Sequence, residues 1–304
     1  MPQHAQAPEI GELTTEAVDE RLVDLDTRPV LGVLEALNDA EAEVPAAVRR
    51  VLPALAELVE AAAAKVRDGG RVIYAGAGTS GRIGVLDAAE IPPTFHEPAT
   101  TFQAAIAGGR EAVFAAAEGV EDSAEAGEQA VSDLAVGPAD TVVAVAASGR
   151  TPFALGALAA ARRAGALTAA VTNNASSPMG VVADHPIEAV VGPEVVAGST
   201  RLKAGSSAKQ ILNMLSTAIM VRNGKTYGNL MVDLTISNAK LRDRGERLVM
   251  TITGCDRDAA AAALTAAAYG VPVAAVMVAH GVAVEEAQRL LAGADGRLAA
   301  VLRT

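Results

Sequence analysis

The sequence predicts an α/β protein built on a parallel sheet, and three observations carry that prediction. Short, mostly apolar runs alternate with helical segments through the middle of the chain. Within those runs there is little polar alternation, as in strands covered on both faces. The first run also leads through a glycine-rich turn into a helix. With 304 residues, 51% of them hydrophobic, the chain can bury a large core.

Taken in order, the N-terminal segment from Met1 to Arg28 is acidic and turn-rich, and is expected to pack as an arm or to fray. Between Pro45 and Arg67, Val48, Val51, Leu52, Leu55, Leu58, Val59 and Val66 fall mainly at helical spacing, and Asp68-Gly69-Gly70 supplies the stop. Strands are expected over 71–75, 101–106, 141–146, 167–172 and 187–191, separated by helices near 81–89, 112–117, 124–134 and 152–164. After Gly198, Ser199 and Thr200 can cap a long helix. Its apolar side includes Leu202, Ile211, Leu212, Leu215 and Ile219, and it ends near Asn223-Gly224. Beyond about Gly245 the chain becomes alanine-rich helices punctuated by Gly254, Gly270-Val271-Pro272, Gly281 and Gly293. The expected division is an arm and helix over 1–44, the sheet domain over 45–245 and a small helical domain over 246–304. No repeat of 20 to 50 residues stands out.

Composition narrows the function. The 25 basic and 36 acidic side chains leave a net charge of −11, which argues against a nucleic-acid or anionic-membrane surface. Ala259 to Val284 lacks Asp, Glu, Lys and Arg, but Gly270 and Pro272 break it near its middle and His280-Gly281 closes its second half. It reads as two short helices, not a membrane span. A single cysteine, Cys255, and an N-terminus without a basic start and apolar run point to a cytoplasmic protein. His4, His96, His185 and His280 are scattered, and with one cysteine they form no zinc pattern, so no metal is expected.

Two loops carry chemistry. Gly76-Ala77-Gly78-Thr79-Ser80-Gly81 satisfies GxGxxG between a strand and a helix, where backbone amides and the helix N-terminus can approach an anion. A dinucleotide site also needs an acidic residue ending the second strand. Here Glu97 precedes that strand, so the signature is incomplete. The second loop, Ala147-Ser148-Gly149-Arg150-Thr151-Pro152, repeats the pattern of hydroxyl, glycine, hydroxyl, with Pro152 suited to a first helical turn. Arg150 either adds positive charge or lies on the surface. One such loop alone reads first as a tight turn with capping hydroxyls. Two in one parallel sheet suit a sugar phosphate, with Gly78, Thr79, Ser80, Ser148, Gly149, Arg150 and Thr151 as the binding residues.

At this point the chain resembles a family. GAGTSGRIGVLDAAEIPPTF at 76–95, GVEDS at 119–123, ASGRTP at 147–152 and GNLMVD at 228–233 look like N-acetylmuramic acid 6-phosphate etherase. The resemblance runs from about Arg28 into the C-terminal helices. It implies a sugar isomerase (SIS) domain, a three-layer sandwich around a parallel sheet, followed by a small ubiquitin-associated-like (UBA-like) helical domain. It also implies cleavage of the ether joining D-lactate to C3 of the sugar. The open-chain aldehyde acidifies the C2 proton, its loss expels lactate, and water adds at C3. The substrate's own carbonyl stores the electrons, so neither metal nor organic cofactor is implied. The resemblance places the acid at Glu90 and the base at Glu121.

The neighbourhoods of these two residues agree with those roles. Pro92 disfavours helical geometry at Ile91, which would leave Glu90 in the last turn of its helix, where the dipole disfavours a charged carboxylate. Gly119 breaks the chain, and Asp122 or Ser123 can cap the next helix, which would hold Glu121 ionised near a positive end. His96 reads first as a surface or capping residue and only second as a catalytic one, and Lys203 and Lys209 read first as solvated lysines, with a place facing a phosphate or the lactate carboxylate as the alternative. SIS domains commonly pair, so a homodimer is expected, with the long helix after Ser199 either at the pairing surface or in the core. A second reading is a non-catalytic sugar-phosphate sensor like the glucokinase regulatory protein, against which the presence of both glutamates counts. A dinucleotide oxidoreductase and an aldose–ketose isomerase are the remaining readings.

Overall fold

A computed structural model describes residue 11, residues 13–236 and residues 238–303. The expectation of an N-terminal arm from Met1, and His4 with it, falls partly outside the described residues. The chain divides into two compact units, one of residues 1–89 with 100–216, the other of residues 90–99 with 217–304.

The first unit opens with short turns and two helices, α1 (Val30–Glu41) and α2 (Val44–Arg67). The sheet follows as β1 (Val72–Gly76), β2 (Phe102–Ile106), β3 (Thr141–Val145), β4 (Leu167–Thr172) and β5 (His185–Glu188). All pairings are parallel, in the order β2-β1-β3-β4-β5. Between the strands run α3 (Gly78–Phe95), α4 (Glu111–Phe114), α5 (Ala124–Asp133), α6 (Pro152–Arg163) and α7 (Pro178–Val182), and α8 (Lys203–Arg222) follows the last strand. β1 and β3 are buried at every position, which accounts for their continuous apolar runs.

Successive side chains leave a strand on opposite faces. Ile73, Ala75 and Val142 pack beneath Val131 of α5 and Ala157, Ala160 and Ala161 of α6. On the other face Tyr74 donates its hydroxyl hydrogen to Asp87 of α3 at 2.7 Å. Asp87 also accepts from Asn213 at 2.6 Å and Ser216 at 3.1 Å, both on α8. Helices therefore cover both faces of the sheet, as a three-layer SIS-type sandwich requires. Burial pushes the Asp87 carboxyl up from the usual range, while its three neutral donors pull the other way.

Three expectations need correction. The helix after β1 does not stop near Ala89 but runs through Pro92 and Pro93 to Phe95, so Glu90 is not in its last turn and the dipole reading of Glu90 falls. Ile91 and Phe95, one turn apart, are both buried, and that burial offsets the loss of two amide donors to proline. The last sheet strand lies at His185–Glu188, a few residues before the expected 187–191. The long helix starts at Lys203 and is not capped by Ser199 or Thr200: the buried carboxylate of Glu194 accepts the amides of Lys203 at 2.9 Å and Ala204 at 3.0 Å. Ile211, Leu212 and Leu215 are fully buried within the chain, so this part of the helix is core.

In the second unit, β6 (Thr226–Tyr227) and β7 (Leu230–Met231) form an antiparallel hairpin. The helices α9 (Ala239–Thr253), α10 (Arg257–Ala266), α11 (Val271–His280), α12 (Val284–Gly293) and α13 (Leu298–Leu302) follow. They enclose Leu248, Val249, Leu264, Val276, Leu291 and Leu298. Gly254 and Gly281 end α9 and α11 in left-handed caps, as their positions in the sequence suggested. Among the described residues, no helix is long and apolar enough to cross a membrane.

Candidate functional site

In the order β2-β1-β3-β4-β5, the chain leaves β1 towards one edge and resumes at β3 on the other side. Loops after the carboxyl ends of β1 and β3 therefore diverge and open a crevice, the usual ligand position in such sheets. A cavity of about 540 Å³ lies there, lined from the first loop by Ala77, Gly78, Thr79 and Ser80, and from the second by Ser148, Arg150 and Thr151.

Local structure explains each wall. Gly81 packs its backbone against Gly76, where a Cβ would lie 2.7 Å from the Gly76 oxygen, so α3 starts hard against the end of β1. Thr79 and Ser80 thus occupy the first turn of α3, where amide donors have no partner within the helix. In the second loop, Gly149 has φ +68°, and its backbone joins Ala146 and Met179 by hydrogen bonds of 3.0 Å. It shapes the turn without lining the cavity. Ser148 accepts the Arg150 amide at 3.2 Å, leaving its own proton to donate. Thr151 precedes Pro152 at the start of α6, and its side chain makes no capping bond there.

Glu121 and Asp122 reach the same cavity from the short turn before α5. Ser123 caps α5, accepting the Ala126 amide at 3.0 Å, as one of the two expected arrangements has it. Two helical glycines bring this wall to the others. A Cβ on Gly127 of α5 would stand 1.9 Å from the Phe153 oxygen, and one on Gly156 of α6 would stand 1.9 Å from the Ala124 oxygen. The N-terminal turns of α5 and α6 are therefore in backbone contact. That contact sets the Glu121 turn beside the Ser148–Thr151 loop.

The lining also includes residues that the sequence reading did not place in a site: Leu13, Glu16 and Thr200. Nothing local marks them, since what brings the first two there is a set of hydrogen bonds to residues about 160 positions away. Glu90 is not among the lining; it is exposed on α3 and belongs to the second unit. Lys209 is exposed as expected. Lys203 is not the solvated lysine expected: it is 1% exposed and pairs through Nζ with Glu43 Oε2 at 3.0 Å. A carboxylate at the start of α2 is what makes that burial tolerable. In the second unit, Lys225 joins Glu97 and Asp233 at 2.7 Å each, and His96 lies 3.6 Å from Asp233. The residues following AEIPPTF and the end of GNLMVD meet through that lysine.

Hydroxyls and first-turn amides meet at the sheet's switch point, and β2 ends without the acidic residue that a ribose-binding dinucleotide site needs. β2 is followed by Ala107-Gly108-Gly109. Fold and cavity define an SIS-type α/β protein, and a family model for the glucokinase regulatory protein N-terminal SIS domain matches residues 54–162. The chain is 51% identical to the N-acetylmuramic acid 6-phosphate etherase of Rubrobacter xylanophilus over 95% of this chain and 96% of that one. It is 50% identical to the same-named protein of Cutibacterium acnes over 93% of each, and 46% identical to that of Bacillus subtilis over 94% of each. The chain belongs to the N-acetylmuramic acid 6-phosphate etherase family.

Proposed function

We infer that this protein is a carbon–oxygen lyase that removes D-lactate from C3 of N-acetylmuramic acid 6-phosphate and leaves N-acetylglucosamine 6-phosphate, a step in amino-sugar and cell-wall recycling. One observation carries the reading: two hydroxyl-bearing loops and Glu121 converge on one cavity at the switch point of the sheet. The hydroxyls of Thr79, Ser80, Ser148 and Thr151, with the first-turn amides of α3, take the phosphate. This matters because the chain's net charge of −11 repels an anionic substrate at long range, so binding depends on local donors. Arg150, also in the lining, adds the positive charge.

Glu121 is proposed as the base that takes the C2 proton of the open-chain aldehyde. The electron pair moves into the conjugated system as the C3–O bond breaks. Glu90 is proposed as the acid that protonates the departing lactate; its assignment follows the AAEIPP motif and not the cavity lining. Water then adds at C3 and the proton returns to C2, so atoms balance without an oxidant or reductant. The test is incubation with N-acetylmuramic acid 6-phosphate in ¹⁸O-water. Free D-lactate and label at C3 are expected; intact substrate, or label in lactate, would reject the reaction.

A cytoplasmic homodimer is proposed as the working form. Val18, Val23, Val30, Leu31 and Leu34 are exposed apolar side chains at and before α1, which a second copy would cover. A mass from light scattering equal to one chain would count against it.

A further inference from the structure

The segment from Leu13 to Glu16 is a strap fastened to the sheet domain. Thr14 donates its amide and its hydroxyl to Asn174 Oδ1, each at 2.9 Å, and Asn174 Nδ2 donates to Thr15 Oγ1 at 3.1 Å. Leu13 and Thr15 are buried, at 3% and 0% exposure, so the strap is seated and its direction fixed. Glu16 closes the turn by donating its amide to the Leu13 oxygen at 3.0 Å. Its side chain is exposed, lines the cavity, and has no ion pair or side-chain hydrogen bond with any described residue. Gly198 leaves room for it: a Cβ there would lie 3.3 Å from Glu16 Oε2.

A carboxylate without a partner on a seated strap, facing a cavity that the two hydroxyl-bearing loops and Arg150 share with Glu121 and Asp122, has a restricted choice of ligand atoms. Beside a phosphate or a lactyl carboxylate it would repel, which favours placing those groups towards the hydroxyls and Arg150 of the same lining. Against a neutral O–H or N–H it forms a charge-assisted bond, stronger than a bond between neutral groups. We propose that Glu16 is a specificity-determining residue that accepts a hydrogen bond from a sugar hydroxyl or from the acetamido N–H, away from the phosphate cradle. The strap therefore contributes a wall of the site that selects a sugar phosphate over phosphate alone. This rests on the reading of the cavity as a sugar-phosphate site.

The test uses the full chain and two competitive probes, N-acetylglucosamine 6-phosphate and inorganic phosphate, each titrated by calorimetry and as an inhibitor. Glu16→Ala is expected to weaken the sugar phosphate about tenfold or more. Inorganic phosphate should bind as before or more tightly. Glu16→Gln, which keeps a carbonyl acceptor, should fall between, with kcat changed less than about threefold relative to the rise in KM. Equal affinity for the sugar phosphate in all three proteins would overturn the proposal. So would a parallel loss for both probes together with a fall in Tm, since that is the signature of a strap that only holds the fold. If the unaltered protein releases no lactate, the etherase reading fails, and the two-probe comparison still decides the role of Glu16.

Discussion

Replacing Gly156 with alanine sets two effects of opposite sign against each other. In an unobstructed helix the change is favourable by about 1 kcal/mol, because alanine loses less backbone freedom on folding. At Gly156 the new methyl would sit 1.9 Å from the Ala124 oxygen, 2.7 Å from its carbonyl carbon and 2.9 Å from its Cα. All three are backbone atoms, so no rotamer change relieves the overlap. Reaching even a 3.0 Å contact requires α5 and α6 to separate by about 1.1 Å. Overpacking of this kind costs on the order of 1–3 kcal/mol, more where backbone must move. A net loss of about 2 kcal/mol is expected, read as a urea midpoint shift at unchanged slope. Because Thr151 precedes α6 and Glu121 precedes α5, the same displacement should lower kcat/KM by on the order of tenfold to a hundredfold. Gly32→Ala on α1 is the control: its nearest contact would be Arg28 Cβ at 3.6 Å, so stability should hold or rise by up to about 1 kcal/mol. If Gly156→Ala proves as stable as the parent, with activity intact, the glycine crossing does not position the site.

Single replacement of Thr79, Ser80, Ser148 or Thr151 by alanine should weaken N-acetylglucosamine 6-phosphate about threefold to tenfold, with little change in Tm; unchanged affinity in all four would remove the proposed phosphate cradle. With Glu121→Gln, exchange of the C2 proton with solvent should stop, while Glu90→Gln should retain it and fail to release lactate; the reverse pattern would exchange the two roles. Asp140→Asn should cost about 2 kcal/mol at neutral pH, since Asp140 accepts Arg71 Nη2 at 2.7 Å and Nε at 3.0 Å as well as the amides of Arg71 and Gly137. Burial alone would raise the Asp140 carboxyl, but the Arg71 guanidinium and the amides outweigh it and hold it below the usual range. Its contribution is therefore present at neutral pH and lost on acidification, so the gap between parent and variant in chemical denaturation should shrink as pH falls towards about 3. A gap independent of pH would refute the assignment.

Much of the sheet was legible because β1 and β3 are buried on both faces and must be apolar throughout, whereas β5 was misplaced for the converse reason. It is an edge strand, and His185, Pro186 and Glu188 are tolerated where only one side is paired. Pro92 reads locally as a helix stop, but the buried Ile91 and Phe95 override it, a tertiary effect with no local signature. The two loops that line the cavity were visible because glycine and hydroxyl residues fall together at strand-to-helix junctions. The crossing of α5 and α6 was readable in principle, since Gly127 and Gly156 each interrupt an otherwise helix-favouring segment. The strap was not, because Thr14 and Thr15 find their partners only when Asn174 arrives from across the chain.

The most direct measurement is a crystal structure with N-acetylglucosamine 6-phosphate bound. The phosphate should rest on the hydroxyls of Thr79, Ser80, Ser148 and Thr151, with a Glu121 carboxylate oxygen within about 3.5 Å of C2. A sugar bound elsewhere, or one seated in this cavity with Glu121 turned away from C2, would contradict it.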